Sequence, residues 1–412
     1  MTMQRSASTT ALTFTFTLAL ALPACSGGAG ESDTDTDTAS TSESESESDT
    51  TTDTAGDTAG VELDGACEGP LAEGGRLAVV GTDFVTGSVS SVDVATSEVT
   101  LDVAAATTDT VAVAHGDALY LIHRYGTNRV DVVGGGSYSV VVDGVAEPNP
   151  QALAVGADGL GYLTLFGAPE VQIIDLGAAP SKVGAIPLTD FADADGNPEA
   201  GVAIACGTRL VVGVQRLVDF APVDHSILVV LDTGARAVID VDPATEGVQG
   251  IELLGAFPRQ IRVDPADPSG ATLLVLTDGI ERVHLPTATS TWATDRAALE
   301  AAGLTGYAPQ AFVVDAAGTV AYLTAADGDY PGAAVWRIGL DGGAPTTPEK
   351  LIVGVASSEK LLERIGDTLW VGDASPDQSG LRTWDLGVDP PVETTTSPLS
   401  TGLPPYTMVV RP

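Results

Sequence analysis

The chain has 412 residues, in which 18 lysines and arginines stand against 56 aspartates and glutamates, so the formal net charge is -38 at neutral pH. A surface this acidic repels phosphate backbones and excludes a nucleic-acid partner. Hydrophobic residues make up 44% of the chain and charged residues 18%, which provides enough apolar side chain for a packed core. The 47 glycines and 25 prolines favour many turns between short strands.

Residues 1–24 have the pattern of an export signal. Arg5 precedes the apolar run ALTFTFTLALAL at residues 11–22, which is too short to span a membrane. The next residues, Leu22-Pro23-Ala24-Cys25, resemble the signal of bacterial lipoproteins, in which the cysteine is acylated. This resemblance implies a lipid on Cys25, a membrane as partner through that lipid, and a place in the cell envelope, at the outer membrane or facing the periplasm. The alternative is an ordinary secretory signal cleaved after Ala24.

A polar stretch follows the signal. Residues 26–60 consist of Ser, Thr, Gly, Ala, Asp and Glu, with runs such as DTDTDT and SESESES. Such a composition cannot bury enough apolar surface to offset the entropy of ordering. Residues 25–60 are therefore predicted to be a disordered linker that begins at the lipidated cysteine. Residues 61–75 form a lead-in segment to a folded domain at 76–412.

A short repeat organises the folded domain. A proline is followed three and five residues later by an apolar residue and a valine, at Pro150/Leu153/Val155, Pro258/Ile261/Val263, Pro309/Phe312/Val314 and Pro405/Met408/Val410. The best copies, PQALAVGADGLGYLT and PQAFVVDAAGTVAYLT, indicate two strands joined by a glycine-containing turn. Extended along the chain, the pattern predicts seven units that start about 40 to 60 residues apart, a spacing typical of propeller blades.

The units predict the strands of each blade. The innermost strands are expected at residues 111–114, 152–155, 202–205, 260–263, 311–314, 361–365 and 407–410. The outermost strands are expected at 99–103, 139–142, 183–188, 250–254, 350–355 and near Glu393, with none assigned in the fifth unit. One helix is predicted at 294–303, with Thr294 as its N-cap and Gly303 as its stop.

The two ends of the domain predict how the ring closes. The first unit starts with a strand of the second type, RLAVVGT, and the chain finishes with an innermost-type strand at 405–410 that has nothing after it. An unpaired apolar strand at either end would be an exposed edge, which proteins avoid. The sequence therefore predicts an all-β fold, a seven-bladed β-propeller closed by pairing of the C-terminal strand with the first blade.

The segment GYLTLFGAPEVQIIDL at residues 161–176 resembles the repeats of YVTN-type, YncE-like seven-bladed propeller proteins of bacteria. The resemblance covers most of residues 76–412, although the first two units lack the opening proline. It implies the propeller fold and carries no reaction with it.

Motif searches find little chemistry. GxSxG, GxxxxGK[ST], HExxH and GxGxxG are all absent, and the four histidines show no metal-ligand spacing. With Cys25 acylated, Cys67 and Cys206 remain, and they are either bridged or two free thiols. No cofactor is predicted. Acidic stretches supply fragments of a calcium loop without a complete ligand set, so they indicate either ordinary turns or a divalent cation such as calcium. The candidate metal ligands are Asp190, Asp193, Asp195, Asp327 and Asp329.

The propeller topology predicts a ligand-binding face. Loops that enter the innermost strands and loops that join second to third strands share one end of the ring, around the channel. The residues expected there are Gln151, Arg259, Gln310, Tyr406, His123, Arg124, Arg216, Asp219, Asp329 and Tyr330.

The predicted function is a monomeric binding or scaffold module without catalytic activity, held in the envelope, whose unidentified ligand is a protein, peptide or glycan. The alternative is an envelope hydrolase, similar to lactonases, that uses a divalent cation in the propeller channel. A quinoprotein-like dehydrogenase is disfavoured because the chain has only four tryptophans.

Overall fold

The computed structural model describes residues 60–67, 75–304, 309–327, 332–340, 345–356 and 360–412. The predicted signal, Cys25 and the predicted linker as far as residue 59 lie outside the described residues. Within these ranges, no helix combines the length and the apolar character that crossing a membrane requires.

Seven antiparallel sheets form the blades of a propeller, as predicted. The strands of the first four blades are β1 Arg76–Thr82, β2 Gly87–Asp93, β3 Val99–Ala106, β4 Thr110–His115, β5 Ala118–His123, β6 Arg129–Val132, β7 Ser137–Ser139, β8 Pro150–Val155, β9 Leu160–Leu165, β10 Glu170–Asp175, β11 Ser181–Pro187, β12 Ala200–Cys206, β13 Arg209–Val214, β14 Leu217–Val218, β15 Ala221–Pro222, β16 Ile227–Asp232, β17 Ala237–Ile239 and β18 Ile251–Glu252.

The strands of the last three blades, and the strand that closes the ring, are β19 Gln260–Val263, β20 Thr272–Leu276, β21 Ile280–His284, β22 Thr289–Thr294, β23 Ala311–Val314, β24 Val320–Ala326, β25 Gly332–Gly339, β26 Glu349–Ala356, β27 Leu362–Ile365, β28 Thr368–Asp373, β29 Gly380–Asp385, β30 Val392–Glu393 and β31 Pro405–Arg411. The helical elements are 3₁₀ turns at Thr189–Phe191 and Leu285–Thr287 and the helix α1 Arg296–Ala301.

The core is divided among the blade interfaces. The described residues form seven buried apolar clusters, each shared by two neighbouring blades. Because both faces of a blade pack against neighbours, the middle strands are buried on both sides. In β20 every residue is buried, whereas most of the outermost strand β3 is exposed.

The C-terminal strand closes the ring as the sequence predicts. Strand β31 pairs antiparallel with β1, with Val410 opposite Leu77 and Met408 opposite Val79. All four side chains lie in the cluster between blades 7 and 1. The innermost strands of the other blades agree with their predicted positions within a few residues.

The outermost strands differ from the prediction. In blade 4 the predicted strand 250–254 is reduced to β18, and β17 pairs with the other end of β16. In blade 5 the strand β22 occupies 289–294, where none was assigned. In blade 2 the strand β7 lies slightly before the predicted 139–142. These strands have a solvent-facing edge, so their sequences carry a weaker apolar pattern than the inner strands.

The helix begins one residue later than predicted. Thr294 is the last residue of β22, where it pairs with Ile280, so it is not the N-cap. The cap is Asp295, whose side chain accepts a hydrogen bond from the Ala298 N–H at 2.7 Å. The helix follows the fourth strand of blade 5 and connects it to blade 6.

Residues 60–67, which are the last residue of the predicted linker and the first part of the lead-in segment, pack on blades 4 and 5. Val61 is 3% exposed and belongs to the cluster between these blades, and its N–H donates to Leu285 O at 3.1 Å. A disulfide joins Cys67 to Cys206 at the end of β12. The chain therefore enters the domain along blades 4 and 5 and leaves it in blade 1.

Candidate functional site

The loops that enter the innermost strands and the loops between second and third strands lie at the same end of the ring, because successive strands run antiparallel. We call this end the mouth face. Asp329 and Tyr330, predicted to belong to it, lie outside the described residues.

Three predicted mouth residues converge on one hydrogen-bond network. The Arg124 Nε donates to Asp109 Oδ1 at 2.7 Å, its Nη2 donates to the Tyr406 hydroxyl at 2.7 Å, and its Nη1 donates to Gln151 Oε1 at 3.3 Å. The Tyr406 hydroxyl in turn donates to Asp109 Oδ1 at 3.1 Å. This network, the mouth network, joins blades 1, 2 and 3.

Asp109 was missed in the sequence. It stands two residues before the first apolar residue of its innermost strand, the position that Gln151 and Tyr406 occupy in their blades. The Pro-x-x repeat does not mark Asp109 because blade 2 lacks the opening proline. The spacing from the strand was the signal that would have identified it.

Exposed aromatic side chains border the mouth network. Phe84 is 67% exposed, and its ring meets that of Tyr406 edge-on with centroids 6.3 Å apart. Tyr125, next to Arg124, is 69% exposed. Phe84 has a positive φ of 63°, held in a turn where the Thr82 hydroxyl accepts its N–H. A bulky residue in this conformation costs backbone energy, so the turn presents its ring to solvent at the expense of stability.

His123, predicted on the mouth face, is instead fully buried. Its Nδ1 lies 2.9 Å from the Thr110 hydroxyl and its Nε2 lies 2.9 Å from Asp131 Oδ2. Burial lowers the pKa of His123, although Asp131 opposes that shift. As the last residue of β5, it points into the blade interior, where it ties strands together and is shielded from a ligand.

The remaining predicted mouth residues that the structure describes make other contacts. The Arg259 guanidinium lies over the Phe257 ring, 5.5 Å from its centroid. The Gln310 N–H donates to a carbonyl of β24 as the chain enters blade 6. Arg216 and Asp219 flank and turn the short hairpin β14–β15 in blade 4, with φ values of 56° and 53°.

Two of the predicted metal ligands come together with a third carboxylate. One oxygen from each of Asp193, Asp195 and Glu199 lies within 4.8 Å of the other two. Glu199 is 4% exposed, and its Oε2 accepts the Leu217 N–H at 2.8 Å. Burial, with the nearby charges of Asp193 and Asp195, raises the pKa of Glu199 to about 7. Glu199 was missed because it lies just past the acidic stretch, at the entry to β12.

The other predicted metal ligands are placed differently. Asp190 is not part of this acidic group. Asp327 forms an ion pair with Lys350, with 2.7 Å between its Oδ1 and the lysine Nζ. Asp329 lies outside the described residues.

A cavity of about 360 Å³ lies in the channel of the propeller. Its walls are formed mainly by residues of the innermost strands β4, β8, β12, β19, β27 and β31, most of them Ala, Val, Leu or Ile. Within the described part of the chain, five polar side chains line it, namely His115, Gln260, Arg262, Lys360 and Glu363. The sequence reading assigned none of them to a site, and none of the acidic group Asp193, Asp195 and Glu199 lines the cavity.

The charged side chains of the cavity form a buried pair. The Arg262 Nη2 donates to Glu363 Oε2 at 3.1 Å, joining the innermost strands of blades 5 and 7. Burial raises the pKa of Glu363, and the charges of Arg262 and Lys360 oppose this effect. The Arg262 guanidinium also lies 5.9 Å from the centroid of the Phe312 ring in blade 6.

Comparisons with known proteins identify the fold and no family. No family model matches the chain, and no curated protein matches it. Among solved structures, the periplasmic gluconolactonase PpgL of Pseudomonas aeruginosa is similar with a TM-score of 0.55 and 14% identity, covering 82% of this chain and 99% of that one. A protein from Lactobacillus plantarum is similar with a TM-score of 0.50, 14% identity and the same coverage. At these identities the likeness shows the fold alone.

Proposed function

We propose that this protein is a non-catalytic binding module of the cell envelope, attached to a membrane by a lipid on Cys25, that recognises an envelope glycan with its mouth face. The observation that carries the proposal is the mouth network beside two exposed aromatic side chains. Fixed donors and acceptors next to an apolar ring surface match the alternating hydroxyl and C–H groups of a sugar.

The geometry suits recognition because the polar groups are held before any ligand arrives. Arg124 is held by Asp109, Gln151 and Tyr406, so the polar groups of the mouth network keep one arrangement. Preorganised groups lose less conformational freedom on binding than mobile ones. The strongly acidic chain favours neutral or cationic glycans over anionic polymers, which its charge repels.

The proposal is tested by measuring glycan binding, on an array of envelope saccharides, for the wild type and for Phe84→Ala and Tyr125→Ala. Both variants are expected to weaken binding about tenfold, since each removes a stacking surface. Phe220→Ala is the matched control, because Phe220 is 82% exposed on a loop of blade 4 at the same end of the ring. Loss of binding in Phe220→Ala alone, or no binding by the wild type, would reject this site.

A second candidate function, a hydrolase that uses a divalent cation, is favoured by the acidic group Asp193, Asp195 and Glu199. Three carboxylates near one another suit calcium, which prefers oxygen ligands. The structural neighbour named a gluconolactonase makes a lactone the substrate to try. Hydrolysis of gluconolactone that depends on calcium and is lost in Glu199→Gln would favour this function over the binding module. Calcium binding without hydrolysis would assign the group a structural role.

A further inference from the structure

At one position of the innermost strands, two blades around the channel cavity have a different kind of residue from the others. The residue after the first apolar position of the innermost strand is Ala112 in blade 2, Ala154 in blade 3, Val313 in blade 6 and Val409 in blade 1. In blades 5 and 7 the same position holds Arg262 and Glu363. Two charged side chains thus replace small apolar ones at equivalent places in the ring.

Stability does not account for this replacement. Both residues are nearly buried, with 9% and 7% of their surfaces exposed. Removing an ion pair from water costs several kcal/mol, and apolar residues of similar size at such places are commonly as stabilising or more so. The other blades show that this ring packs with apolar residues at the position. Because burying this ion pair costs desolvation energy, its presence indicates a role other than packing.

The pair leaves part of the arginine unsatisfied. The Arg262 Nη2 contacts a single oxygen of Glu363 at 3.1 Å, in place of the two parallel hydrogen bonds that an arginine and a carboxylate can form. The Arg262 Nε is buried and has no hydrogen-bond partner among the described residues. Buried donors are normally paired, so the ion pair with Glu363 leaves this N–H without its usual kind of partner.

The charge balance of the cavity selects the acceptor. Arg262 and Lys360 bring two positive charges to the lining and Glu363 brings one negative charge. Among the lining residues that the structure describes, positive side chains outnumber negative ones, inside a chain of net charge -38. A cavity of about 360 Å³ lies at the lower end of the range for small-molecule sites. The rest of the wall is mainly apolar, which suits the carbon skeleton of an organic anion.

We propose that the channel cavity binds a small organic carboxylate, whose oxygens accept hydrogen bonds from Arg262 and whose charge is balanced by Arg262 and Lys360. This site is separate from the mouth network and involves none of its residues. Glu363 holds Arg262 in place when the cavity contains no carboxylate ligand. Because it competes with such a ligand for the guanidinium, it weakens the binding of the ligand.

The experiment is a calorimetric titration of the full chain with succinate at constant ionic strength. Dimethyl succinate is the uncharged control and sodium chloride the control for general anion effects. We expect saturable binding of succinate alone. Glu363→Gln is expected to tighten it several-fold, because the competing charge is lost while the side-chain size is kept.

The decisive variant is the double substitution Arg262→Ala and Glu363→Ala, which gives blades 5 and 7 the residue found in blades 2 and 3. It removes both charges together, so neither is left buried alone, and its melting temperature reports whether the ring is intact. We expect succinate to bind at least about tenfold more weakly, the loss of one charged hydrogen bond. Unchanged affinity in a folded double variant, equal binding of dimethyl succinate, or no saturable binding by the wild type would overturn the proposal.

Discussion

The two ends of the described chain are attached to the ring by different means. The C-terminal strand β31 is a full member of blade 1 and contributes Met408 and Val410 to the core. Residues 60–67 instead lie on blades 4 and 5, which are complete without them. They are fixed by a disulfide, by the deeply buried side chain of Val61 and by hydrogen bonds from Thr208 to Asp64. The comparison shows that different interactions close the ring and attach residues 60–67: strand pairing with core packing in the first case, and mainly a disulfide in the second.

The closing strand also contacts both neighbouring blades. The Thr407 hydroxyl donates to Thr110 O in blade 2 at 3.4 Å, and the Met408 N–H donates to Lys360 O of blade 7 at 3.1 Å. A fault in β31 therefore disturbs two interfaces as well as one sheet. A fault in residues 60–67 leaves every sheet intact.

The largest effect is expected from Val410→Asp. Val410 is 1% exposed, so the substitution places an unpaired charge between blades 7 and 1 and should destabilise the domain by more than about 4 kcal/mol. Urea denaturation followed by circular dichroism measures this loss. Val392→Asp is the matched control, since Val392 lies on the outermost strand β30 and is 57% exposed. Similar stabilities for the two variants would show that the closing strand is dispensable.

The closure was predictable from the sequence because the innermost strands are the most constrained part of the fold. Their residues pack against two blades, so apolar residues and the opening proline recur at fixed spacing, as at Pro150 and Pro405. The outer strands face solvent along one edge, and the split between β17 and β18 left no comparable pattern. The sequence therefore predicted the ring and its order better than the edges of its blades.

The candidate sites were predictable only in part, for a physical reason. Topology alone brings Arg124, Gln151 and Tyr406 to one end of the ring, and they do meet there. Whether a side chain faces the mouth or the blade interior depends on the last residues of each strand, and His123 turned inward. Arg262 and Glu363 lie 101 residues apart in sequence, so no local motif could indicate that their side chains form a pair.

The disulfide variant Cys67→Ala with Cys206→Ala is expected to have the second-largest effect. The bridge closes a chain segment of 139 residues, and its loss should lower the free energy of unfolding by about 2–4 kcal/mol through greater freedom of the unfolded chain. Adding a reducing agent to the wild type should reproduce the effect, whereas the double variant, which has no bridge to reduce, should be insensitive to it. Equal stability of the wild type and the double variant would mean that the bridge fixes the entering chain without stabilising the ring.

Val61→Ala is expected to have a smaller effect. It leaves the bridge and all sheets intact and removes two methyl groups from the cluster between blades 4 and 5, which corresponds to about 2 kcal/mol. The exposed neighbour Glu62 provides the control Glu62→Ala, which should change the unfolding free energy by less than about 0.5 kcal/mol. If both variants behave alike, residues 60–67 are held by the bridge and not by packing.

The smallest expected effect is a difference in pH dependence between the closing strand and residues 60–67. Next to the closing strand, burial lowers the pKa of His123. As the pH falls below about 6.5, this histidine is therefore protonated in the unfolded chain, while its imidazole stays neutral in the folded chain. Stability from this group is therefore complete above that pH and declines below it, by at most about 1.4 kcal/mol per pH unit. On residues 60–67, hydrogen bonds from Thr208 lower the pKa of the Asp64 carboxylate, so its contribution is lost only in more acidic solution.

Unfolding free energies of the wild type and His123→Asn, measured by urea denaturation at pH 7.5 and pH 5.5, test this difference. The wild type should lose more stability over this interval than the variant, because asparagine does not titrate. The variant is expected to be weaker at pH 7.5, since it changes the contacts to Thr110 and Asp131, so the quantity that decides is the change with pH and not the absolute stability. Equal losses of stability in the two proteins would show that the acid sensitivity comes from groups other than His123. The closing strand and residues 60–67 would then not be distinguished by pH.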